Sequence, residues 1–288
     1  MDAKPALQEK EGQRFIKEEM EWRVNRDKRM RSSTSWLTIA GLFWLEEGES
    51  SFGAASSNKI ILPSGSAPPS AGKFIFKSGK IKVVANEGTD LKYEGKIIKE
   101  KVFKGDDAGK PDVVELAELR MWMIKRGDQY AIRLIDLNAP AYKNYKVLEF
   151  FPPRKKFKIE ADFVTYPTPK TIPTATAIGT KEEMVSPGYI KFLIDGLEYR
   201  LDAFNGNEKN TKLFFIFSDE TSGKETYGGG RFMYSDFLEK GKVDLNFNRA
   251  YNPPCAYTPY ATCPLPLPQN ILKVRIEAGE KTYPDGHH

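Results

Sequence analysis

The sequence predicts a mainly β protein in which one amphipathic helix precedes two antiparallel β units. Helical periodicity is confined to the segment from Gln8 to Arg31. The rest of the chain alternates apolar and polar residues in short runs separated by turn residues, which is typical of strands. The chain has 288 residues, 40% of them hydrophobic, which favours two modest cores because a single core rarely grows beyond roughly 250–300 residues.

The first element is a helix at residues 1–34. Ile16, Met20 and Val24 recur at steps of four, and Phe15 and Trp22 lie seven apart, which predicts an amphipathic helix. Its last turns are basic, which complements the helix dipole and predicts a solvated face rather than a binding surface. The basic residues are Arg23, Arg26, Lys28, Arg29 and Arg31.

The second element is a β-sandwich at residues 35–137. Its clearest signal is a hairpin, in which 73–77 and 80–84 alternate with period two around Ser78-Gly79. Further strands are expected at 59–62, 113–116, 119–125 and 130–135, at the spacing of an antiparallel sandwich.

The third element is an antiparallel sheet or barrel at residues 138–288. A second hairpin is predicted where 189–194 and 197–204 flank Asp195-Gly196. A barrel is the natural closure because it leaves few exposed strand edges. The remaining strands are expected at 157–166, 213–217, 231–234, 242–247 and 271–277.

Composition excludes several classes of function. A formal net charge of +5 is small for a chain of 288 residues, so nucleic-acid binding is not expected. The only histidines are His287 and His288, which removes histidine-dependent nucleophiles and metal sites from the interior. Two cysteines cannot fill a structural zinc site, and no metal ligands are predicted.

Localisation and cofactor use are not fixed by the sequence. No run of 18 apolar residues occurs, so no membrane span is expected. The first ten residues lack the apolar stretch of a secretory signal, which predicts a cytoplasmic protein if Met1 is native and an exported one if a signal has been removed. The sequence identifies neither a cofactor nor an oligomeric state.

Residues 215–280 gather the chemically distinctive side chains. Three glycines precede Arg231, so this turn is either an anion cradle or a tight hairpin. In the strand at 242–247, Val243, Leu245 and Phe247 share one face, while Asp244, Asn246 and Asn248 form a polar row opposite. Short amides and carboxylates are depleted in strands, which favours a role in binding a ligand or the backbone of the following loop.

That loop, residues 250–270, contains six prolines, which restrict its conformations and predict an ordered structure. Cys255 and Cys263 lie within it. Their spacing is compatible with a structural disulfide, with a pair of reduced thiols and with a redox or nucleophilic cysteine.

These motifs resemble the bacterial and archaeal family known as domain of unknown function 1684. The resemblance implies a shared fold but no established reaction, and members tend to carry Asp at the position of Asn246. A weaker likeness relates 41–84 to a forkhead-associated sandwich, without its phosphothreonine-reading residues. The motifs that carry the family resemblance are 35–38, 41–45, 221–223, 225–227, 230–232, 246–255, 263–266 and 278–281.

Three functions compete at this point. The first is binding of a small polar or anionic ligand, with Arg231 as the anion anchor in a pocket of the C-terminal unit. The second is a hydrolase that uses carboxylates without histidine, and the third is a structural or protein-interaction module. The candidate ligand-binding residues are Tyr227, Arg231, Asn246, Asn248, Asn252 and Glu280, and the candidate carboxylates for catalysis are Asp219, Glu225, Asp244 and Glu280. Arg231, Asn248 and Glu280 are expected to lie together.

Overall fold

The computed structural model describes residues 3–207 and 211–286, with His287 and His288 outside this range. The chain forms two compact units. One is continuous, Ser33–Asn144, and the other combines residues 1–32 with Tyr145 onward. The N-terminal helix therefore belongs to the same unit as the C-terminal strands.

The helix α1 spans Ala3–Met30. Its buried face contains Phe15, Glu19, Arg26 and Met30, whereas the predicted apolar stripe Ile16, Met20 and Val24 is 44–51% exposed. The basic end of the helix is not a uniformly solvated face, because Arg26 is buried. Charged and apolar residues share the packing face, which hydropathy alone does not reveal. Among the described residues, no helix is long and apolar enough to cross a bilayer.

The unit Ser33–Asn144 is a two-sheet β sandwich with a short helix α2 at its end, Pro140–Lys143. One sheet has the order β1-β11-β10-β9-β6-β7 and the other the order β3-β2-β4-β5-β8. The strands are β1 Ile39–Trp44, β2 Gly48–Gly53, β3 Ile60–Ile61, β4 Gly72–Lys77, β5 Lys80–Ala85, β6 Lys92–Tyr93, β7 Lys96–Ile97, β8 Glu100–Val102, β9 Val114–Leu116, β10 Leu119–Arg126 and β11 Gln129–Asp136.

The predicted hairpin of this unit is confirmed as β4 and β5. Its two turn residues, Ser78 and Gly79, both have positive φ, as a two-residue hairpin requires. The sheets enclose a core that includes Phe52, Phe74 and Ile81, all fully buried.

The second unit is a six-stranded, nearly closed antiparallel barrel of order β16-β15-β14-β13-β12-β17. A bridge between Phe237 and Val243 lies between the two edge strands. The predicted hairpin at Asp195-Gly196 is confirmed between β13 and β14. The strands are β12 Lys158–Ala175, β13 Lys181–Ile194, β14 Leu197–Asn205, β15 Lys212–Phe217, β16 Arg231–Asp236 and β17 Lys242–Asn246.

The barrel interior is filled by apolar side chains. Strand β15 is buried on both faces: Phe215 and Phe217 point into the barrel core, while Phe214 and Ile216 pack in a separate outer cluster. That outer cluster includes Cys255 and Cys263 of the proline-rich loop, so the loop covers the barrel wall.

One predicted strand is wrong. Residues 271–277 form no strand, only a single bridge between Ile271 and Ser218. The backbone of this segment makes two hydrogen bonds with residues 218–220, from Leu272 N–H to the Ser218 carbonyl and from Glu220 N–H to the Val274 carbonyl. Further along, side chains take over: Ile276 N–H donates to Asp219, and the Ile276 carbonyl accepts from Arg231.

Candidate functional site

The polar row of β17 faces helix α1. Asn246 donates from Nδ2 to Glu19 Oε1 at 2.9 Å, and Arg249 Nη2 lies 3.0 Å from the same carboxylate. Glu19 is fully buried and Asn246 is 4% exposed. A buried carboxylate is stable only when its charge is compensated by such partners. Asn246, at the end of β17, and Arg249 therefore bind a buried charged residue of the helix.

The Asn248 side chain binds the backbone of Arg154, in the segment that leads into β12. Its Oδ1 accepts from Arg154 N–H at 2.9 Å, and its Nδ2 donates to the Arg154 carbonyl at 3.0 Å. One side chain therefore satisfies both the N–H and the carbonyl group of Arg154. Backbone satisfaction, one of the two roles considered for the polar row, accounts for this residue.

Glu280 receives the second charged residue of the helix. Arg26 Nε lies 2.6 Å from Glu280 Oε1, while Asn252 N–H and Tyr257 O–H donate to Oε2 at 2.8 and 3.1 Å. The Arg26 guanidinium also lies over the Tyr251 ring at 4.9 Å. The three groups that contact the carboxylate, from Arg26, Asn252 and Tyr257, are all hydrogen-bond donors.

The pKa values around Glu280 follow from this arrangement. Burial lowers the pKa of Arg26, but the charge and hydrogen bond of Glu280, together with Tyr257 and Tyr251, outweigh it and the net pKa is raised. Burial and the same negative charge raise the pKa of Tyr257 well above its ordinary value. Arg26 therefore stays cationic and Tyr257 stays protonated.

Arg231 lies in a separate, fully buried cluster. Its Nη2 is 3.0 Å from Asp219 Oδ1 and donates to the Ile276 carbonyl at 3.2 Å, and its Nη1 donates to the Ala278 carbonyl. Asp219 Oδ2 accepts from Ile276 N–H at 2.7 Å. Burial lowers the pKa of Arg231, against the charge of Asp219. Arg231 Nε is buried without a hydrogen-bond partner.

Arg231, Asn248 and Glu280 were expected to lie together. Their segments are neighbours, joined through backbone groups. Arg231 binds the carbonyl of Ala278, two residues before Glu280, and Glu280 N–H donates to the carbonyl of Ala250, two residues after Asn248. Each of the three side chains has its own bonding partners. Asn252 is also buried and donates to the Lys281 carbonyl, whereas Tyr227 is half-buried in the outer apolar cluster.

Three of the four candidate catalytic carboxylates lie in tight ion pairs. Asp219 and Glu280 are bound to buried arginines, and Glu225 is 2.5 Å from Arg275. The hydrogen bond from Arg275 lowers the pKa of Glu225, which is unfavourable for a general acid. The fourth, Asp244, lies at an open cleft.

That opening, here called the helix cleft, lies between α1 and the strands β12 and β17. Its volume is about 440 Å³. Its apolar part comes from Phe15, Ile159 and Leu238. The charged lining residues are Glu11, Arg14, Glu18, Lys155, Lys158, Glu160 and Asp244.

The ion pairs of the helix cleft are long. Lys158 Nζ lies 3.8 Å from Asp244 and 4.0 Å from Glu18, and Lys155 Nζ lies 3.5 Å from Glu11. Arg14 Nε is 3.6 Å from Glu18. The buried pairs, at 2.6 and 3.0 Å, are much closer. Charges in the cleft are therefore loosely paired and partly hydrated.

The helix residues of the site were missed by sequence reasoning. Glu19 and Arg26 lie seven apart and share a face with Phe15 and Met30, and this spacing was the available signal. It was hidden because charged residues are almost never fully buried unless paired, and the partners lie more than 200 residues away.

Cys255 and Cys263 are joined in a disulfide that closes part of the proline-rich loop, with a Cα–Cα distance of 6.1 Å. Both cysteines are buried against β15 and β16. Within residues 3–207 and 211–286, no group of three or more Cys, His, Asp or Glu side chains is arranged to hold a metal ion.

Comparison with known protein families identifies the family of this chain. Residues 143–281 match the model of the family described as "Protein of unknown function (DUF1684)", and the chain belongs to this family. An uncharacterized protein of Haloarcula marismortui, solved by solution NMR, is 32% identical to this chain. The match covers 50% of this chain and 80% of that protein, with a TM-score of 0.42. No curated protein matches.

Distant structural similarity relates about a third of the chain to forkhead-associated (FHA) domains. The FhaA FHA domain, solved in complex with an intracellular domain, is 13% identical over 32% of this chain and 96% of its own, with a TM-score of 0.24. A domain from a study of phosphothreonine-dependent FHA interactions is 12% identical over 33% of this chain and 92% of its own, also at 0.24. No activity follows from these matches.

Proposed function

We propose that the C-terminal unit binds a small polar ligand carrying both a negative and a positive group in the helix cleft. The observation that carries this proposal is the set of loosely paired charges of both signs around the opening. A carboxylate of the ligand would meet Lys155 and Lys158, and its cationic group would meet Glu18 and Asp244.

Loose pairs favour ligand binding for an energetic reason. Exposed ion pairs contribute about 0–1 kcal/mol each, so exchanging them for pairs with a ligand costs little. The buried pairs of Arg26 and Arg231 behave in the opposite way, since breaking one leaves an unpaired charge away from water. Binding is thus favoured in the cleft rather than at the buried Arg231 that the sequence suggested.

The shape of the cleft suits a small organic molecule. A volume of about 440 Å³ falls in the range of small-molecule sites. Phe15, Ile159 and Leu238 offer an apolar surface for a short hydrocarbon part. The buried network supports the cleft because Glu19 and Arg26 fix α1, which forms one wall.

A thermal-shift series with amino acids tests the proposal. Free amino acids carry both charges, their N-acetyl derivatives only the negative one, and their methyl esters only the positive one. We expect the free amino acids to raise the melting temperature most, because ligand binding to the folded state stabilises it by mass action.

Lys158→Met should abolish the shift. Lys191→Met is the matched control, because Lys191 is also a barrel-strand lysine in a 3.5 Å ion pair, with Glu198, outside the cleft. Equal shifts from all three classes of compound, an unchanged response in Lys158→Met or no response at all would each contradict the proposal.

A second candidate, the protein-interaction module, is favoured by one observation. Ile16, Met20 and Val24 form a stripe on α1 that is 44–51% exposed. Exposed apolar patches mark interaction sites. Light scattering on the wild type and on Met20→Glu tests this candidate: an assembly lost in the variant supports it, and monomers in both oppose it.

A further inference from the structure

The β sandwich of residues 33–144 contains a second cleft, unrelated to the C-terminal site. This opening, here called the sandwich cleft, has a volume of about 600 Å³. It lies where the end of β1 approaches the start of β2, the end of β4 and the β10–β11 turn. The lining residues are Phe43, Trp44, Leu45, Glu46, Glu47, Ser50, Lys59, Ile60, Phe76, Asp128, Gln129 and Tyr130.

Aromatic side chains line the sandwich cleft. Phe43, Phe76 and Tyr130 pack against the sandwich core and are only partly buried. The Phe76 and Tyr130 rings have centroids 5.1 Å apart at an interplanar angle of 43°. Trp44 is 38% exposed. Four aromatic residues, one of them a tryptophan, thus converge on one opening.

The carboxylates of the sandwich cleft form no close ion pairs among the described residues, although Asp128 interacts electrostatically with Lys125. Glu46, Glu47 and Asp128 line the opening and make no ion pair with any residue between 3 and 207 or 211 and 286. Glu47 accepts a hydrogen bond from Ser78 N–H at 2.6 Å, which fixes one carboxylate in place.

Two lysines lie at or near the opening, and neither forms a close ion pair with its carboxylates. Lys59 donates from Nζ to the Glu49 carbonyl at 2.8 Å. Lys125 Nζ lies 5.3 Å from the centroid of the Tyr130 ring and interacts with the Tyr130 side chain. The aromatic opening therefore keeps three carboxylates that are not neutralised by contact.

We infer that the sandwich cleft binds an organic cation, an ammonium or guanidinium group attached to an apolar stem. Aromatic faces attract cations through the ring quadrupole, and tryptophan does so best. Unpaired carboxylates add a long-range attraction of the same sign. The apolar lining of Phe43, Leu45 and Ile60 would contact the stem. Such a group could come from a free small molecule or from a basic side chain of a peptide.

The test compares choline with its neutral carbon isostere, 3,3-dimethylbutan-1-ol, on the full chain. Backbone NMR shifts at residues 43–47, 76 and 128–130, with the indole signal of Trp44, report on the site. We expect choline to perturb these signals saturably and at least about fivefold more tightly than the isostere, as a charge-selective aromatic site requires. N-acetyl-arginine amide, a mimic of a peptide side chain, distinguishes the two sources of the cation: tighter binding than choline indicates a peptide.

Variants locate the effect. Trp44→Leu should weaken choline binding about two- to fivefold, because an exposed cation–π contact is lost. Glu46→Gln combined with Asp128→Asn should remove the preference for choline over the isostere. Glu87→Gln, an exposed carboxylate of the same unit outside the cleft, is the matched control and should bind as the wild type does. Unchanged melting temperatures confirm that the variants fold.

Equal perturbation by choline and the isostere would overturn the inference, since it would show an apolar cleft without cation selectivity. Perturbation at other residues, or none for choline and N-acetyl-arginine amide alike, would overturn it as well. Loss of binding in Glu87→Gln would show a general charge effect and would have the same consequence. Because every lining residue lies within 33–144, the NMR signals report on this cleft alone, whereas the Lys158→Met variant identifies the part of the amino-acid response that belongs to the C-terminal unit.

Discussion

Among the residues that the structure describes, fully buried charges are compensated by other residues. Arg231 illustrates the rule, because its fully buried guanidinium is held by Asp219 and by the carbonyls of Ile276 and Ala278. Such pairs add little net stability compared with apolar residues, but breaking them is costly. Arg231 therefore specifies the path of 271–280 more than it stabilises the fold.

We predict that Arg231→Met destabilises the protein by about 3–5 kcal/mol, because Asp219 is left buried without its cationic partner. Urea denaturation followed by fluorescence measures the change. Lys212→Met is the control: its ion pair with Asp236 is largely exposed, and we expect a change below about 1 kcal/mol. Similar losses in the two variants would refute the special role of the buried pair.

A second residue-scale prediction concerns Tyr166 and Asp202, which sequence analysis did not single out. Tyr166 donates to Asp202 Oδ1 at 2.5 Å, and Arg200 lies 3.0 Å from the same oxygen. Burial raises the pKa of Asp202, but the hydrogen bonds from Tyr166, Gln269 and Arg200 outweigh it and lower the pKa. Burial and the bond to Asp202 raise the pKa of Tyr166 to about 12.

These shifts define a pH window. The lowered pKa of Asp202 contributes stability above its unfolded pKa of about 4, which is lost as the pH falls through the folded value. The raised pKa of Tyr166 contributes stability below about pH 10, which is lost as the pH rises toward 12. Tyr166→Phe should therefore melt below the wild type between about pH 5 and 9, with a smaller difference at either extreme. Thermal melts from pH 3 to 11 check this, and a constant difference would contradict it.

At the scale of elements, sequence patterns predicted the structures that depend on neighbouring residues, such as hairpin turns. The turns at Ser78-Gly79 and Asp195-Gly196 need positive φ, which their residues supply, so both hairpins were predictable. The packing face of α1 depends on Glu19 and Arg26 finding partners far along the chain, so periodicity alone could not identify it. The segment 271–277 resembles a strand, but only its first half bonds to neighbouring backbone, and Ile276 binds the side chains of Asp219 and Arg231.

The helix attachment can be measured by a double-mutant cycle. We predict that Arg26→Gln and Glu280→Gln each destabilise the protein, and that the double variant loses less than the sum by at least about 1 kcal/mol, because the residues form one buried pair. Urea denaturation of the four proteins gives the coupling. Additive losses would show that Arg26 and Glu280 act independently.

The proline-rich loop is the element in which the disulfide matters. Cys255 and Cys263 cover the outer face of β15, so their separation would loosen the loop over Phe214 and Ile216. We predict that Cys255→Ala with Cys263→Ala destabilises the protein by about 2–3 kcal/mol, as a short closed loop implies. Guanidinium denaturation measures it, and a wild-type protein in dithiothreitol should approach the double variant. An unchanged midpoint in both would contradict a structural role.

At the scale of the whole molecule, the order of elements was predictable but the membership of α1 was not. Mainly β composition, one helix and a nearly closed barrel follow from periodicity and turn residues. The helix, predicted as a separate segment at 1–34, lies in the same compact unit as the barrel. Its role became visible only through contacts that span 227 and 254 residues. The helix cleft was unpredictable for the same reason.

The helix is an integral wall of the C-terminal unit and of its cleft. The most direct test is the folding of residues 145–288 alone and with 1–32 joined to them by a flexible linker, followed by near-ultraviolet circular dichroism. We predict that the linked protein folds cooperatively and keeps the amino-acid response, while residues 145–288 alone do not fold, because Asn246 and Glu280 lose their buried partners. A stable fold of 145–288 alone, with the same response to amino acids, would contradict the account.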